Sequence, residues 1–368
     1  MSVAYSGDKI TFADGSTLGS AWTGFKNRIL NGSMMIDQRN AGASVTPTNG
    51  QYTIDRWNCY VTQASKFTVQ QNAGSVTPPT GFTKYLGITS SSSYSVASGD
   101  YFTINQPVEG FNTADLSFGT AGASQVTVSF WVRSSLTGTF GGSLQNGNQD
   151  YCYPFNYTIS SANTWEQKTV TVTAPTSGTW FTTNQGGIYL SFALGVGSTY
   201  SGTAGSWASG LKLSATGATS VVGTSGATFY ITGVQLEKGS TATSFDYRPY
   251  GTELALCQRY YYKVTSPSGS ASTFSLGMTE STTVTSSVVK FPISMRIAPT
   301  ALEQSGTTTD YIIRDAVTNV ALSSVPTFGI ANLNSCLVNA NGTSLTAGRA
   351  VQLRASNTNA YLAWSAEL

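Results

Sequence analysis

The alternation of apolar and polar positions along the chain predicts β-strands. In residues 125–133, mostly polar positions separate four apolar side chains that share one face: Val126, Val128, Phe130 and Val132. The same alternation predicts three further strands, over 165–174, 188–195 and 229–237. Side chains that alternate in this way have one face for a core and one for solvent, so these segments indicate a β-sandwich domain.

The segment 230–250 joins this domain to the second part of the chain. It begins with a predicted strand in which four side chains share one face: Tyr230, Thr232, Val234 and Leu236. Glu237 and Lys238 end the strand, and Gly239 turns the chain. We expect the charged residues of this segment to fix the domain junction rather than bind a ligand: Glu237, Lys238, Asp246 and Arg248.

Before the sandwich, residues 9–21 predict a short hairpin with Asp14-Gly15 as its turn. A piece of about 20 residues cannot form a core alone, so it must pack on the main domain or on another copy of the chain. Next, we predict a strand ending at Leu30, a turn or bulge at Asn31-Gly32, and a second strand from Met34 to Gln38.

Polar loops and a second set of strands complete the pattern. Four segments rich in glycine, serine and threonine are predicted to be loops at the sandwich ends: 87–99, 138–147, 195–210 and 214–226. Residues 253–263 predict a helical turn leading into a strand, with Leu254, Cys257 and Tyr261 on one face. Further strands are predicted over 274–278, 284–291, 311–314, 328–330, 336–339, 350–353 and 361–368.

The composition agrees with an all-β chain. Charged residues make up 10% of the sequence, against roughly 25% in an ordinary soluble protein. Aromatic residues reach 12%, and threonine, valine, tyrosine and phenylalanine favour strands. With 368 residues the chain is long enough for two cores. We predict an N-terminal hairpin segment (1–24), a first β-sandwich domain (25–250) and a second, smaller β-sandwich domain (251–368).

Charge and cysteine content exclude several classes of function. A net charge of +2 without basic runs argues against a nucleic-acid partner, and so few charges suit a subunit of a fixed assembly. The sequence contains no histidine, which removes histidine-based triads and metal sites. The cysteines are too far apart for a zinc motif, so we predict four buried thiols and no cofactor: Cys59, Cys152, Cys257 and Cys336.

No segment approaches the ~18 apolar residues that a membrane-spanning helix needs, so no membrane insertion is expected. The N-terminus lacks the charged start and apolar stretch of a signal peptide. We therefore expect synthesis in a cytoplasm without export by that route.

Several sequence phrases resemble bacteriophage proteins. A domain common in phage and prophage tail proteins is similar to the series Asn31, Gly32, Met34, Ile36, Gln38 and Arg39, followed by Tyr52, Asp55, Arg56 and Trp57. The hairpin at 9–21, the phrase at 291–300 and the ending at 360–368 also resemble these proteins, and the run at 234–251 is the best marker. The resemblance covers nearly the whole chain.

The strands of residues 25–250, taken in order, resemble jelly-roll carbohydrate-binding modules of the type appended to cellulases and xylanases. The phrases Ser-Phe-Trp, Trp-Glu-Gln and Ile-Thr-Gly-Val-Gln-Leu carry this likeness. The resemblances together imply a jelly-roll domain in a virion tail-fibre subunit that attaches to a host-surface polysaccharide. They also imply a homo-oligomer, expected to be a homotrimer, that contacts other virion proteins.

An alternative is a purely structural virion component, such as a head fibre, a capsid decoration or a baseplate protein, acting through protein–protein contacts. Related modules often carry Ca²⁺, but the carboxylates here are too scattered to assign its ligands.

Catalysis is not expected. Glycan hydrolysis needs two carboxylates at a defined separation, and no recognisable pair occurs among the candidates Asp37, Asp55, Asp100, Asp115, Asp150, Glu166, Glu237 and Asp246. Asp55 and Arg56 flank Trp57, so we predict a structural ion pair there. A depolymerase ranks third, after the two virion roles.

Sugars bind to aromatic faces beside amide, carboxylate and guanidinium groups. Three loop regions place such residues together, and they supply the glycan-binding candidates: Trp180, Phe181, Asn184 and Gln185; Tyr200 and Trp207; and Asn148, Asp150 and Tyr151. Each aromatic ring has an alternative role, which is to pack on the sandwich or on a neighbouring subunit.

Overall fold

We describe the protein from a computed structural model, which covers residues 4–6, 9–11, 17–19, 26–267, 272–315 and 318–368. The N-terminal strands β1 (Ala4–Ser6), β2 (Lys9–Thr11) and β3 (Thr17–Gly19) form a small antiparallel sheet. Ile10 pairs with Leu18, which confirms the predicted hairpin. The predicted Asp14-Gly15 turn lies outside the described residues.

The next part of the chain folds as a β-sandwich. Its strands are β4 (Tyr52–Ile54), β5 (Trp57–Val61), β6 (Phe67–Gln71), β7 (Leu86–Ser90), β8 (Tyr101–Glu109), β9 (Val126–Ser134), β10 (Gly138–Asn146), β11 (Tyr151–Ile159), β12 (Glu166–Val172), β13 (Gly186–Val196), β14 (Ser201–Gly202), β15 (Ala208–Ser209), β16 (Ser214–Ala215) and β17 (Thr228–Lys238). Short 3₁₀ turns lie at Ala73–Ser75, Gly110–Asn112, Ala114–Leu116 and Ser198–Tyr200.

Two sheets face each other in this sandwich. One has seven strands in the order β15-β11-β10-β13-β8-β5-β4, and the other has five in the order β12-β9-β17-β7-β6. Their inner faces share one apolar core, in which the rings of Phe130 and Phe192 lie 4.9 Å apart. The predicted all-β sandwich is confirmed, because two sheets enclose one core.

The clearest predicted strand is β9. Its four alternating apolar side chains, beginning at Val126 and ending at Val132, are all fully buried in the core. β9 pairs with β12 on one side and with β17 on the other. The period-2 pattern therefore predicted both the strand and its inward face.

In β17 the strand itself is confirmed, but the predicted common face is wrong. Val234 and Leu236 lie in the core, whereas Tyr230 packs against Tyr85 on the other face of the sheet. The register slips between Thr232 and Gln235 because Gly233 adopts a left-handed conformation with φ of 60°. A bulge of this kind exchanges the two faces of a strand.

The two strands predicted around Asn31 are absent, while the turn at Asn31-Gly32 is confirmed. Asn31 has φ of 53° and its carbonyl accepts from the Met34 amide at 3.0 Å. The Asn31 side chain forms hydrogen bonds with the backbone of Ile36 and Asp55. These bonds take the place of the backbone hydrogen bonds that a strand would form. Gly32 packs directly on the carbonyl of Val234, where a Cβ would collide.

The predicted loop at 138–147 is wrong, because this segment forms β10 in the interior of the seven-stranded sheet. Gly142 faces the core, and a Cβ there would come within 2.6 Å of Cε2 of Phe155. Glycine therefore makes room for an aromatic ring from the neighbouring strand. The same residue type that suggests a loop in the sequence is here a packing device.

The C-terminal part contains the helix α1 (Tyr250–Gln258) and strands β18 (Tyr261–Thr265), β19 (Thr273–Thr279), β20 (Val284–Lys290), β21 (Glu303–Gln304), β22 (Tyr311–Asp315), β23 (Thr318–Ala321), β24 (Thr327–Ala331), β25 (Ser335–Asn341), β26 (Ala350–Ala355) and β27 (Tyr361–Ser365), with a 3₁₀ turn at Thr308–Asp310. A three-stranded sheet (β18-β27-β21) and a seven-stranded sheet (β23-β22-β26-β19-β20-β25-β24) enclose a second core around Trp364. The predicted helix and the predicted strands of this region are confirmed. The short strands β21 and β23 were not predicted from the sequence.

Buried charges join the two parts. Arg56 pairs with Glu367 rather than with Asp55, so the predicted Asp55–Arg56 ion pair is wrong. Asp55 instead accepts from the backbone and side-chain amides of Gln38, and burial raises the pKa of its carboxyl to about 7. The predicted domain boundaries themselves stay a prediction.

The four charged residues predicted to fix the junction differ in their contacts: Glu237 accepts from Thr243 and Lys238 pairs with Asp115, both within the sandwich. Asp246 accepts from the backbone amides of Lys26 and Asn27, at 3.0 and 3.2 Å, and Arg248 pairs with Glu253 of α1 at 3.1 Å. Arg248 thereby ties the segment to the helix that opens the C-terminal part, whereas Asp246 ties it to the start of the sandwich.

All four cysteines are buried and free, as predicted. No helix in the described part of the chain has the length and apolar character that crossing a membrane requires.

Candidate functional site

The structure brings three of the predicted glycan contacts together at one edge of the sandwich. Tyr151 stacks on Trp207 with ring centroids 5.2 Å apart, and Trp180 meets Trp207 edge to face at 5.5 Å. Phe118 in turn packs against Trp180 at 4.7 Å. These side chains form a small aromatic cluster, which we call the rim cluster.

The rings of the rim cluster are engaged with one another and with the loops that carry them. The indole N–H of Trp180 donates to the carbonyl of Ser177 at 3.0 Å, and that of Trp207 donates to the carbonyl of Thr173 at 2.7 Å. Such contacts hold the loops against β11. The rim cluster is therefore built in the way that the packing alternative predicted.

The remaining candidates differ in how they relate to the rim cluster. Phe181 packs against Gly147, and the backbone carbonyls of Asn184 and Gln185 accept bonds from Arg296 and Gly110. Asn148 is exposed, and Asp150 accepts from Asn146 at 2.6 Å. Tyr200 packs on Tyr101 at 5.1 Å. Phe181 and Asp150 thus adjoin the rim cluster, because Gly147 contacts the ring of Phe181 and Asn146 joins Asp150 to the carbonyl of Thr179, next to Trp180. All of these positions stay candidates.

A row of polar side chains crosses the outer face of the seven-stranded sheet of the sandwich. Asn58 of β5 pairs with Asn105 of β8, Asn105 pairs with Ser191 of β13, and Ser191 pairs with Ser143 of β10. Directly paired residues project from the same face of a sheet. The four side chains therefore lie in one line across four strands, which we call the polar row.

Several atoms of the polar row are buried and lack a hydrogen-bond partner within the described residues. They are Oδ1 of Asn58, both amide atoms of Asn105 and Oγ of Ser143, together with Oγ1 of the neighbouring Thr103. Asn105 has an exposed fraction of 0%. Each unsatisfied buried polar group costs about 1–3 kcal/mol. The protein itself covers these atoms, so enclosed water can satisfy them where they lie, and a ligand can do so only if the covering side chains move.

Tyrosines stand on both sides of the polar row. Tyr60 pairs with Thr103, and Tyr189 pairs with Pro107, so the two half-buried rings bracket Asn105 along β8. Burial raises the pKa of Tyr189 above its usual range. The arrangement offers aromatic faces beside amide and hydroxyl groups.

The polar row itself carries no charge. Its members are asparagines and serines, flanked by Thr103 and by Gln145, which donates to Ser191 at 3.1 Å. The nearest charged residue of β8 is Glu109, and it is occupied by Arg259 at 2.6 Å and by the hydroxyl of Tyr260. A neutral, hydroxyl-bearing molecule matches this chemistry.

Sequence reasoning missed the polar row because its residues are isolated in four strands. Asn105 follows Ile104 in a continuous buried run, and only the strand register brings it beside Asn58 and Ser191. A usable signal was present, since asparagine is depleted in strands and rarely buried. The search for aromatic residues in loops favoured the rim cluster instead.

The carboxylates considered for catalysis are engaged elsewhere in the described structure. Asp37 accepts two backbone amides, Asp100 accepts from Tyr94 and Thr62, and Glu166 pairs with Lys168. The hydrogen bond from Tyr94 lowers the pKa of Asp100, and that from Lys168 lowers the pKa of Glu166. Similar bonds occupy the remaining five candidates, Asp55, Asp115, Asp150, Glu237 and Asp246.

No group of three or more histidine, cysteine, aspartate or glutamate residues in the described ranges is placed to hold a metal ion.

Comparison with known proteins gives only distant similarities. No protein-family model matches the chain, and no curated protein matches its sequence. The enzymatically active domain of tailspike protein 4 from bacteriophage CBA120 aligns with 58% of this chain at 13% identity and a TM-score of 0.32, and the alignment spans 21% of that tailspike chain. A family 11 carbohydrate-binding module from Clostridium thermocellum, in complex with a β-1,3-1,4-mixed-linked tetrasaccharide, aligns with 55% of this chain and 100% of its own at 10% identity and a TM-score of 0.27.

A tandem pair of family 22 carbohydrate-binding modules from Paenibacillus barcinonensis aligns with 89% of this chain and 98% of its own, at 11% identity and a TM-score of 0.25. At these identities and TM-scores the similarities say nothing about what this chain binds. The evidence for the polar row is the strand register and the burial of side chains in this chain, and it does not depend on these similarities.

Proposed function

We propose that this chain is a bacteriophage tail-fibre subunit whose sandwich domain binds a neutral glycan of the host surface. The observation that carries the binding proposal is the polar row, with buried amide and hydroxyl atoms that have no partner within the described residues. The virion assignment, the location in a phage tail and the homotrimeric state rest on the sequence resemblance of the phrases around Asn31 and Arg56.

A sugar ring complements this face in two ways. Its hydroxyl groups both donate and accept, as the amide of Asn105 and the hydroxyls of Ser143 and Thr103 require. Its C–H surface packs on tyrosine rings such as Tyr60 and Tyr189. Binding requires the side chains that cover the row to move, and it would then satisfy polar atoms that are costly to leave unpaired and bury apolar surface at the same time.

The proposed role is non-catalytic. The support for this is that the candidate carboxylates are held by structural hydrogen bonds, while the polar row contains none. Loss of polysaccharide viscosity on incubation with the purified protein would contradict it.

A glycan array tests the binding proposal directly. The wild type should retain one or more neutral glycans, and Asn105→Leu should lose at least tenfold in affinity because it removes both amide atoms at the centre of the row. Removal of an unpaired buried amide should leave the melting temperature unchanged or raised. The matched control is Asn112→Leu, at an exposed position of the sandwich outside the glycan-binding candidates and the polar row, which should bind as the wild type does.

Two outcomes would overturn the proposal. One is unchanged glycan affinity in a folded Asn105→Leu protein, which would place the ligand elsewhere. The other is a wild-type protein that retains no glycan and fails to compete with phage adsorption to host cells.

A structural virion role is the second candidate, and one observation favours it. The outer face of the C-terminal seven-stranded sheet exposes large apolar side chains, among them Leu276 at 66% and Ile330 at 71%. Leu276 pairs directly with Val288, which is also exposed, so these residues form a continuous apolar surface. Exposed patches of this kind mark protein–protein contacts. Location of the chain in the particle by electron microscopy separates the two roles, since a tail-tip position favours attachment and a position on capsid hexamers favours decoration.

A further inference from the structure

A cavity of about 360 Å³ opens between the turn at 36–42, helix α1 and strand β18. Its walls combine the apolar side chains of Ile36 and Leu254 with the polar side chains of Gln258 and Lys263. Tyr250 stands at the edge with 57% of its surface exposed. The volume lies within the range of small-molecule sites, roughly 300–1,000 Å³.

Lys263 is the distinctive group of this cavity. Its Nζ donates to the carbonyl of Arg39 at 2.9 Å and lies 4.3 Å from the ring centroid of Tyr361. No carboxylate among the described residues lies within 4.0 Å of this ammonium. Burial lowers the pKa of Lys263, while the nearby carboxylates of Asp37, Glu303 and Asp55 act in the opposite direction. The same residue also lines a second cavity of about 270 Å³ beside it.

The other charges around the two cavities already have partners. Asp37 accepts the backbone amides of Asn40 and Gly42 at 2.9 and 2.7 Å, and Glu303 accepts the hydroxyl of Tyr261 at 3.0 Å. Arg39 pairs with Glu367 at 2.9 Å. Asp55 is bound by Gln38 and is fully buried. Lys263 is thus the cation beside the two cavities without an ion pair within 4.0 Å in the described structure, and the anionic group of a ligand would compete with Asp37 and Glu303 for it.

The side-chain amide of Gln258 has no hydrogen-bond partner among the residues that the structure describes, and it lies in the same wall as Lys263. An aromatic face, an amide and an ammonium around one cavity are the contacts that a sugar carrying a carboxylate requires. We propose that this cavity binds a carboxylated sugar residue of an acidic glycan, with Lys263 as the anion contact and Tyr250 as the stacking surface. The inference rests on the proposed glycan-binding function and adds a second, charged contact at the domain junction to the neutral one on the sandwich.

Isothermal titration calorimetry with two trisaccharides tests it. The two probes have the same linkages and differ only in a carboxylate or a hydroxymethyl group at C5 of the terminal sugar. Measured in the Asn105→Leu protein, so that binding at the junction dominates, the carboxylated probe should bind about tenfold more tightly than the neutral one, because a charge-assisted hydrogen bond is worth about 1.5–3 kcal/mol. This advantage should shrink as salt is raised.

In the same background, Lys263→Gln should abolish the advantage and leave binding of the neutral probe unchanged. The matched control is Lys290→Gln, which removes the same charge from an exposed position on β20 and should keep the advantage. Asn105→Leu should weaken the neutral probe and keep the carboxylated probe bound at the junction. That pattern separates this inference from the proposal for the polar row.

Equal affinity of the Asn105→Leu protein for both probes would overturn the inference while leaving the polar row intact. An advantage that survives Lys263→Gln would also overturn it, since the anion contact would then lie elsewhere. If the carboxylated probe does not bind at all, the inference is likewise rejected.

Discussion

The two seven-stranded sheets of this chain differ in what their outer faces carry. In the sandwich domain, the outward positions of adjacent strands hold Asn58, Asn105 and Ser143, which are buried and lack partners in the described structure. In the C-terminal sheet, the corresponding kind of position holds Leu276 and Val288, which are apolar and exposed. Both sheets cover an apolar core with their inner faces.

Every second residue of a strand faces outward, so the outward side chains decide which partner each of the two faces can bind. Backbone pairing and core packing are alike in the two sheets, so they do not distinguish the faces. A buried polar atom without a partner favours a ligand that can hydrogen-bond, whereas an exposed apolar side chain favours a surface that excludes water. The chain thus has one face with unpaired polar atoms and one with exposed apolar side chains, and the two faces favour different partners.

The largest expected effect is on folding stability, at the buried carboxyl group of Asp55 beside the junction of the two parts. The pKa of Asp55 rises from 3.8 to about 7 on folding. Its contribution to stability is complete below about pH 4 and is lost as the pH rises through about 7, since the folded state holds the proton more tightly. Asp55→Asn should remove this loss, which is on the order of a few kcal/mol.

Chemical denaturation of the wild type and of Asp55→Asn between pH 4 and pH 8 measures it. The variant should gain stability relative to the wild type as the pH rises. Glu280→Gln, at an exposed position, serves as the control. A difference between the wild type and Asp55→Asn that does not change with pH would show that burial of Asp55 is not coupled to its protonation.

The next effect concerns the strand that carries Ser143. Gly142→Val should lower stability by about 1–3 kcal/mol, because the added side chain meets the ring of Phe155. It should also weaken glycan binding by displacing the neighbouring residue of the polar row. Gly99→Val, at a position with nothing within 4 Å of an added Cβ, should change neither the melting temperature nor the affinity.

Substitution on the apolar face of the C-terminal sheet should weaken self-association of the chain. Leu276→Asn should raise the dissociation constant of the oligomer about tenfold, because burial of a leucine side chain is worth about 1.5–3 kcal/mol. Sedimentation equilibrium measures the change, and Phe111→Asn supplies an equally exposed apolar position in the sandwich domain as control. Equal effects of the two substitutions would remove the distinction between the faces.

The smallest effect is expected from one tyrosine beside the polar row. Tyr189→Ala should weaken neutral glycan binding about threefold to tenfold, because it removes one aromatic face and one hydroxyl. Tyr247→Ala changes an exposed tyrosine away from the row and should leave the affinity unchanged. If both variants bind as the wild type does, the tyrosines frame the row without contacting the ligand.

The sequence predicted most strands because their alternation is local. Val128 and Phe130 mark β9 without any knowledge of its neighbours, and the same is true of the strands after Thr273. Conformations decided by contacts distant in sequence were not predictable in this way. Gly233 reverses the faces of β17, and Gly142 in β10 makes room for Phe155, a residue of another strand.

The candidate site was less predictable for the same reason. Trp180 and Trp207 are conspicuous in the sequence, and the structure brings them together with their N–H groups already bonded to loop carbonyls. Asn105 is inconspicuous, and its significance depends on the register with Asn58 and Ser191 and on the absence of a partner for its amide in the described chain. Register and unsatisfied burial are properties of the folded sheet, so composition alone does not reveal them.

In the proposed function the outer face of the sandwich, not its rim, holds the glycan. The crystal structure of the complex with an oligosaccharide selected on the array tests this most directly. We expect sugar rings over Asn105, between Tyr60 and Tyr189, with hydroxyl groups bonded to the amide of Asn105 and to Oγ of Ser143. A sugar seated on Trp207 and Tyr151, with the polar row left to water, would contradict the account.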